Sequence, residues 1–398
     1  MTQSRIPNAG AGHPHSPPAP AGAIDASNPS LPDGAADPHP ATGPTKSRRW
    51  LRPTVSALGS IAIVVAIFWY FLPQYTSISA VWTSIKAMTW LEMTTLALAA
   101  TWNLATYWFV VVSTTPGLTY RQAAVTTEAS TAVSNTVPAG GAIGMALTYS
   151  MYGSWGFSRS RTSVSLVVAG IWNNFVKLGM PVLALCLLAL QGNPGGGRVL
   201  AAIVGLAALI AAVVLLALLL KSEPAAKRIG LGAAAVASSL RRLIGKGPVQ
   251  GWDRATVKFR GRTALLVRAR WPFVTVATLV SHLSLFLVLL LALRHIGVSS
   301  HDVSWIEALA VFAFARLLTA IPLTPGGLGV VEVALITGLV AAGGARADVA
   351  GAVVVFRALT YVLPIPIGLV AYLFWKRNRS WRRPPGTAPR TKLVPESI

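Results

Sequence analysis

Acidic residues are scarce in this chain. Twelve Asp and Glu stand against 34 Lys and Arg, and charged residues of both signs make up only 12% of 398 positions. An ordinary soluble domain carries roughly twice that share, so a water-facing globule is excluded. Cysteine is almost absent. The single Cys186 falls inside an apolar run, which rules out a disulfide framework within the chain and leaves no partners for a metal site. The histidines, among them His13, His15, His282, His295 and His301, are scattered, so no metal and no cofactor is expected. No GxxxxGK[ST] loop occurs, which argues against ATP-driven export by this chain alone. No signal peptide is expected at the N-terminus, because the first apolar segment lies far from Met1 and is flanked by Lys46, Arg48, Arg49 and Arg52.

What is present is hydrophobic sequence, 53% of the chain, in recurring runs long enough to cross a hydrocarbon layer of about 30 Å. The predicted spans are Thr54–Leu72, Trp90–Ser113, Thr162–Leu190, Val199–Leu220, Pro272–Leu293 and Asp348–Trp375. Ahead of them, residues 1–45 are rich in Pro, Ala, Gly and Asp and lack aromatics, the composition of a disordered tail. Residues 46–376 form the expected membrane domain, and residues 377–398 a basic tail.

The net charge of +22 fits either a nucleic-acid partner or the orientation of a membrane protein. Its distribution decides. Lys221–Arg270 carries twelve Lys and Arg against Glu223 and Asp253, and Lys376–Ile398 carries seven against Glu396. Basic clusters flanking apolar spans follow the positive-inside pattern, so both termini and the loop 221–270 are expected in the cytoplasm and no nucleic acid is expected. Within that loop, Ile229, Val236, Leu240 and Leu243 share a helical face beside Arg228, Arg241, Arg242 and Lys246, an arrangement suited to an anionic leaflet surface.

Orientation constrains two broken segments. Arg121–Gly153 is interrupted by NTVPAGGAIG, and Trp305–Gly343 by IPLTPGGLGVVEV. If either crossed the membrane once, a basic stretch would face outward, so each must return to the side it entered. Their limbs look too short to span singly. Each is therefore expected as a re-entrant hairpin, turning at Pro138, Gly140 and Gly141 in the first and at Pro325, Gly326, Gly327 and Gly329 in the second. Irregular backbone at that depth is tolerated only in protein or beside a wet cavity. A simple packing kink remains the alternative for either break taken alone.

The breaks belong to a repeat. A span, a hairpin and a long span follow one another over residues 90–190 and again over 272–375, with Trp172-Asn173 aligned on Phe356-Arg357 and Pro181 on Pro364. By the charge argument the hairpins enter from opposite sides. The predicted fold is an all-α integral membrane protein of about six full transmembrane helices plus two re-entrant hairpins in an inverted repeat, a transporter plan in which broken helices meet near the midplane.

Glu128, Lys177, Arg316, Glu332 and Arg357 fall within predicted membrane segments, where each charge costs at least ~2.5 kcal/mol unless paired or hydrated. One reading is structural: the carboxylates neutralise the guanidiniums in salt bridges. The other is a hydrated cradle for a phosphate head group, made by Arg316, Arg357 and Lys177 with the Gly140-Gly141 and Gly326-Gly327 amides and tuned by Glu128 and Glu332. Asn135, Thr136, Asn173, Asn174 and Thr324 are candidates to line the same cavity.

TPGGLGVVE at Thr324–Glu332, the preceding FARLLTAIP, the looser NTVPAGGAIG at Asn135–Gly144 and the order of the spans resemble the lysylphosphatidylglycerol synthetase transmembrane-region family of flippase-like bacterial membrane proteins. The resemblance covers roughly Leu51–Lys376. It implies movement of aminoacylated phosphatidylglycerol, polyprenyl-phosphate or other lipids across the bacterial cytoplasmic membrane, with membrane lipids as partners, and it carries over Glu332 and the turn Pro325-Gly326-Gly327. Bifunctional members bear a cytoplasmic aminoacyl-transfer domain after the last span. Because the chain ends at Ile398, that domain and its chemistry are not expected here. A polyprenyl-phosphate-dependent transferase and an accessory protein of envelope lipid synthesis stay open as alternatives. So does assembly as a homo-oligomer or with a lipid-synthesis enzyme.

Overall fold

A computed structural model of the protein describes residues 83, 86–137, 140–191, 196–242, 251–319, 327–384 and 386–387. The tail 1–45 and the predicted span Thr54–Leu72 lie outside the described residues, as do Pro138, Thr324, Pro325 and Gly326. The described chain is helical throughout: α1 Trp90–Thr114, α2 Tyr120–Thr136, α3 Gly140–Ser154, α4 Arg159–Leu190, α5 Gly196–Lys221, α6 Glu223–Arg242, α7 Trp252–Ile296, α8 Trp305–Leu318, α9 Val330–Ala341, α10 Arg346–Arg357 and α11 Pro364–Arg377. A π-helical turn, Ala358–Val362, joins α10 to α11.

Several helix starts are written in local sequence. Thr89 and Glu92, Thr119 and Gln122, and Ser304 and Glu307 form reciprocal capping boxes at α1, α2 and α8, each closing two otherwise unpaired backbone donors. Among the described residues, five helical segments are long and apolar enough to cross a membrane: Trp90–Thr114, Arg159–Leu190, Ala202–Lys221, Trp252–Ile296 and Arg346–Arg377. They coincide with five of the six predicted spans. This is a multi-pass helical membrane protein.

Both broken segments consist of paired short helices. α2 and α3 have 17 and 15 residues, α8 and α9 have 14 and 12. At 1.5 Å per residue their lengths are about 18–25 Å, short of the ~30 Å core. In the first pair, Gly140 and Gly144 lie one turn apart against α2. A Cβ on Gly140 would meet the Ser134 carbonyl oxygen at 2.5 Å, so the small residues let the backbones approach. In the second pair, Gly327 and Gly329 hold φ of 72° and 81°, a left-handed region that favours glycine at the entry to α9.

In the packing, α1 lies against α7, α2 packs on α11, and α8 packs on α4. The largest core cluster joins α1, α4, α7, α8, α9 and α10 around the fully buried Leu289, Phe312, Leu335 and Val353. A polar seam binds α1 to α7: Asn103 Nδ2 donates to the Ser281 carbonyl at 3.2 Å and to Ser284 Oγ at 2.9 Å, and Thr106 Oγ1 lies 3.0 Å from the same hydroxyl.

α7 runs for 45 residues, with Pro272 inside it rather than at its start. Its first third continues out of the apolar run as a basic helix, and α6 packs along it. Arg260 on this stretch donates to the carbonyls of Leu220 and Lys221 at 3.0 and 3.2 Å, capping the C-terminus of α5.

Candidate functional site

The centre of the molecule is a cluster of charge contributed by α4, α8, α9 and α10. Arg357, the last residue of α10, donates from Nε to Glu332 Oε1 at 2.6 Å, with side chains only 7% and 15% exposed. Glu332 sits in the first turn of α9, immediately after the glycine entry, where the helix N-terminus adds its own positive field. The Arg357 guanidinium also lies over the Tyr361 ring, 4.6 Å from its centroid, a cation–π contact one helical turn along the chain.

Tyr361 connects the two halves of the fold. Its hydroxyl donates to the Asn135 carbonyl at 2.7 Å, and Asn135 Nδ2 donates back to the Tyr361 carbonyl at 3.1 Å. The π turn makes this exchange possible. Pro364 and Pro366 supply no N–H to the turn before them, and Leu363 N–H reaches back five residues to the Ala358 carbonyl at 2.8 Å. Such widened turns recur at functional sites.

Arg316 and Lys177 complete the cluster. Arg316 comes from the last turn of α8, and its Nε is buried with no hydrogen-bond partner among the described residues. Lys177 is buried on α4 and makes no hydrogen bond or ion pair among the described residues. Lys177 and Arg316 lie close enough to repel, as do Arg316 and Arg357. His282 of α7 feels both Lys177 and Arg316. Its Nδ1 lies 3.0 Å from the Thr278 carbonyl, while its buried Nε2 has no partner among the described residues. Between the two guanidiniums is a cavity of about 60 Å³, lined by Leu285, Phe312, Arg316, Val331, Arg357 and Thr360 among others. At 10–15 Å³ per water centre it has room for roughly four waters.

Among the described residues this cluster therefore holds three cations and one carboxylate. The sequence restricts any other source of negative charge, because the chain has twelve acids and none lies in 138–139 or 320–326, the segments at the two breaks. Glu128 does not join the cluster. Its Oε1 accepts from Trp108 Nε1 at 2.7 Å, its Oε2 is buried without a partner among the described residues, and no Lys or Arg pairs with it there.

Of the other expected site residues, Asn135 is buried at the junction just described. Thr136 Oγ1 returns to the Ala132 carbonyl at 2.7 Å. Asn173 is half-buried, and Asn174 is exposed, its side chain donating to the Gly170 carbonyl at 3.0 Å. Gly140 is packed against α2, whereas a Cβ on Gly141 would meet open space. Tyr361, His282 and Trp108 were not legible as site residues. The one local signal was the four-residue offset from Arg357 to Tyr361 on a single helix.

The fold and the cluster define a polytopic helical membrane protein with an excess of buried positive charge among its described residues. The chain belongs to the family described as lysylphosphatidylglycerol synthase TM region, whose model matches residues 57–368. No curated protein matches it significantly.

Proposed function

We propose that this chain translocates a lipid bearing a phosphate head group across the bacterial cytoplasmic membrane, without covalent chemistry. The cargo class is an anionic or aminoacylated phospholipid or a polyprenyl-phosphate-linked lipid. In this reading the two helix pairs are re-entrant hairpins of an inverted repeat within six spans, and both termini are cytoplasmic. The reciprocal packing of α2 on α11 and of α8 on α4 supports the repeat.

The observation that carries the proposal is the charge imbalance. Lys177, Arg316 and Arg357 together with Glu332 leave two positive charges in excess, which cost about 5–7 kcal/mol at the bilayer centre unless hydrated or paired. A phosphate oxygen entering beside Arg316 would give its unpartnered Nε–H an acceptor and offset one of those charges. Glu332 then competes with the phosphate for Arg357, which provides a way to release the head group.

A polyprenyl-phosphate transferase would need free acids near the outer face. Asp302 accepts from Ser299 N–H at 3.3 Å and from its hydroxyl at 2.8 Å, and Glu307 closes the cap of α8, so both acids of that region hold backbone, which favours translocation.

The experiment is head-group accessibility in proteoliposomes, with labelled phospholipids and a polyprenyl phosphate, for the wild type and Arg316→Ala. Selective movement that Arg316→Ala abolishes, with the variant still folded, is the expected result. Equal movement by both proteins removes the cluster from the mechanism.

A further inference from the structure

Outside the central cluster, α4, α5 and α7 enclose a lateral groove of about 1040 Å³, at the upper end of the range for small-molecule pockets. Lys177, Arg316, Glu332 and Arg357 are not among its lining residues. α5 packs along α4, where a Cβ on Gly205 would meet Val182 at 2.9 Å and one on Gly179 would lie 3.5 Å from Leu209, yet no residue of Ala202–Lys221 is buried, so its remaining faces stay open.

The groove has two chemically different ends. Along α7 its lining runs from Ala264 to Leu279, about 22 Å of helix. Beyond Trp271 the walls are apolar, made by Leu183, Leu209, Val213 and Leu279 among others. At the opposite end stand Lys221 and Arg268, with Arg268 only about 6 Å of helix beyond Ala264. Both side chains are exposed, and among the described residues neither makes a hydrogen bond or ion pair. Glu223, two residues after Lys221, lies 3.8 Å from Arg260 instead. The lining includes no acid, and by sequence none occurs in 192–195 or 243–250. Trp271, 55% exposed, sits between the charged and apolar ends, the position aromatic side chains take at a membrane interface.

We propose that this groove is a binding site for one anionic phospholipid, with its phosphate between Lys221 and Arg268 and its acyl chains along the apolar channel toward Leu279. Half of a ~30 Å hydrocarbon core is about 15 Å deep, so the channel accommodates the chains of one leaflet. Charge complementarity selects an anionic lipid over a zwitterionic one. The site does not depend on the central cluster, and either can fail while the other stands.

The test uses the full chain in liposomes with a photoactivatable, tail-labelled phosphatidylglycerol at sub-saturating concentration, and peptide mapping of the adducts. Adducts are expected on α5 between Leu209 and Leu216 and on α7 between Val267 and Leu279, displaced by unlabelled phosphatidylglycerol but poorly by phosphatidylcholine. Replacing both cations, Lys221→Gln with Arg268→Gln, is expected to lower the yield about 25-fold, fivefold per cation, which corresponds to ~1 kcal/mol each. Val213→Trp, at an exposed wall position, is expected to abolish the adducts by filling the channel. Arg316→Ala should leave them unchanged, which separates this site from the translocation reading. Equal displacement by the two lipids, an unchanged yield in the double Gln variant, or adducts lost only with Arg316→Ala would each overturn the proposal.

Discussion

Arg357 and Glu332 allow the structural and functional meanings of a buried ion pair to be separated by a double-mutant cycle. Their Nε and Oε1 are 2.6 Å apart and both side chains are largely shielded. Removing either partner alone strands the other charge, so Arg357→Ala and Glu332→Ala should each destabilise the protein by about 3–5 kcal/mol. Removing both eliminates the stranded charge. The double variant should therefore recover most of that loss, with a coupling energy of similar size. Thermal unfolding in detergent, followed by tryptophan fluorescence, reads this part.

Transport reads the rest. If Arg357 also holds the lipid phosphate, its loss removes a charged hydrogen bond worth about 1.5–3 kcal/mol, or roughly 10- to 150-fold in affinity. Restoring the fold cannot replace that bond. The expected result is a double variant that is stable but impaired in lipid movement in proteoliposomes by at least tenfold. A double variant that is both stable and fully active would show Arg357 to be a strut and would refute its place in the cradle.

Gly368→Ala should part α2 from α11: the new Cβ would overlap the Glu128 carbonyl oxygen and lie 2.5 Å from the Ala132 Cβ, and backbone cannot yield as a flexible side chain can. A fall in thermal stability of a few kcal/mol is expected, and an unchanged melting temperature would contradict the packing. Tyr361→Phe removes the 2.7 Å bond to Asn135 and should cost about 1 kcal/mol while retaining the ring beneath Arg357; a melting temperature equal to wild type would show that the hydroxyl contributes nothing. Glu128→Gln keeps an acceptor for Trp108 and removes a carboxylate that pairs with no cation among the described residues, so its stability should equal or exceed that of the wild type; a marked loss would reveal a counter-charge. For orientation, Gly247→Cys with Cys186→Ser should label only from the cytoplasmic side in intact cells, and labelling from outside would invert the expected topology.

Much of the fold was legible because membrane length is local, and apolar run length locates the five described spans. The capping boxes at Thr89, Thr119 and Ser304, which fix the starts of α1, α2 and α8, are equally local but do not figure among the sequence expectations. Two features were not local. α7 begins at Trp252, twenty residues ahead of the apolar run that starts near Pro272, because hydropathy reports where lipid begins and not where a helix begins. The predicted span Asp348–Trp375 is one crossing segment, Arg346–Arg377, but it carries a π turn at Ala358–Val362 that only the pair Pro364 and Pro366 hinted at.

The site was less legible, and the two hairpins show why. Glu128 precedes Pro138 by ten residues, while Arg316 precedes Pro325 by nine, which made them look like counterparts. On a helix of 3.6 residues per turn, that single residue rotates a side chain by about 100°. Arg316 accordingly joins Lys177 and Arg357 at the centre, whereas Glu128 turns toward Trp108 of α1. A similar order of elements does not place equivalent chemistry on the same face. The cation cluster is built mainly from the second half, with Lys177 reaching in from the first. The expected repeat points to the two interrupted segments, and helical phase decides which of the charged residues there join the cluster.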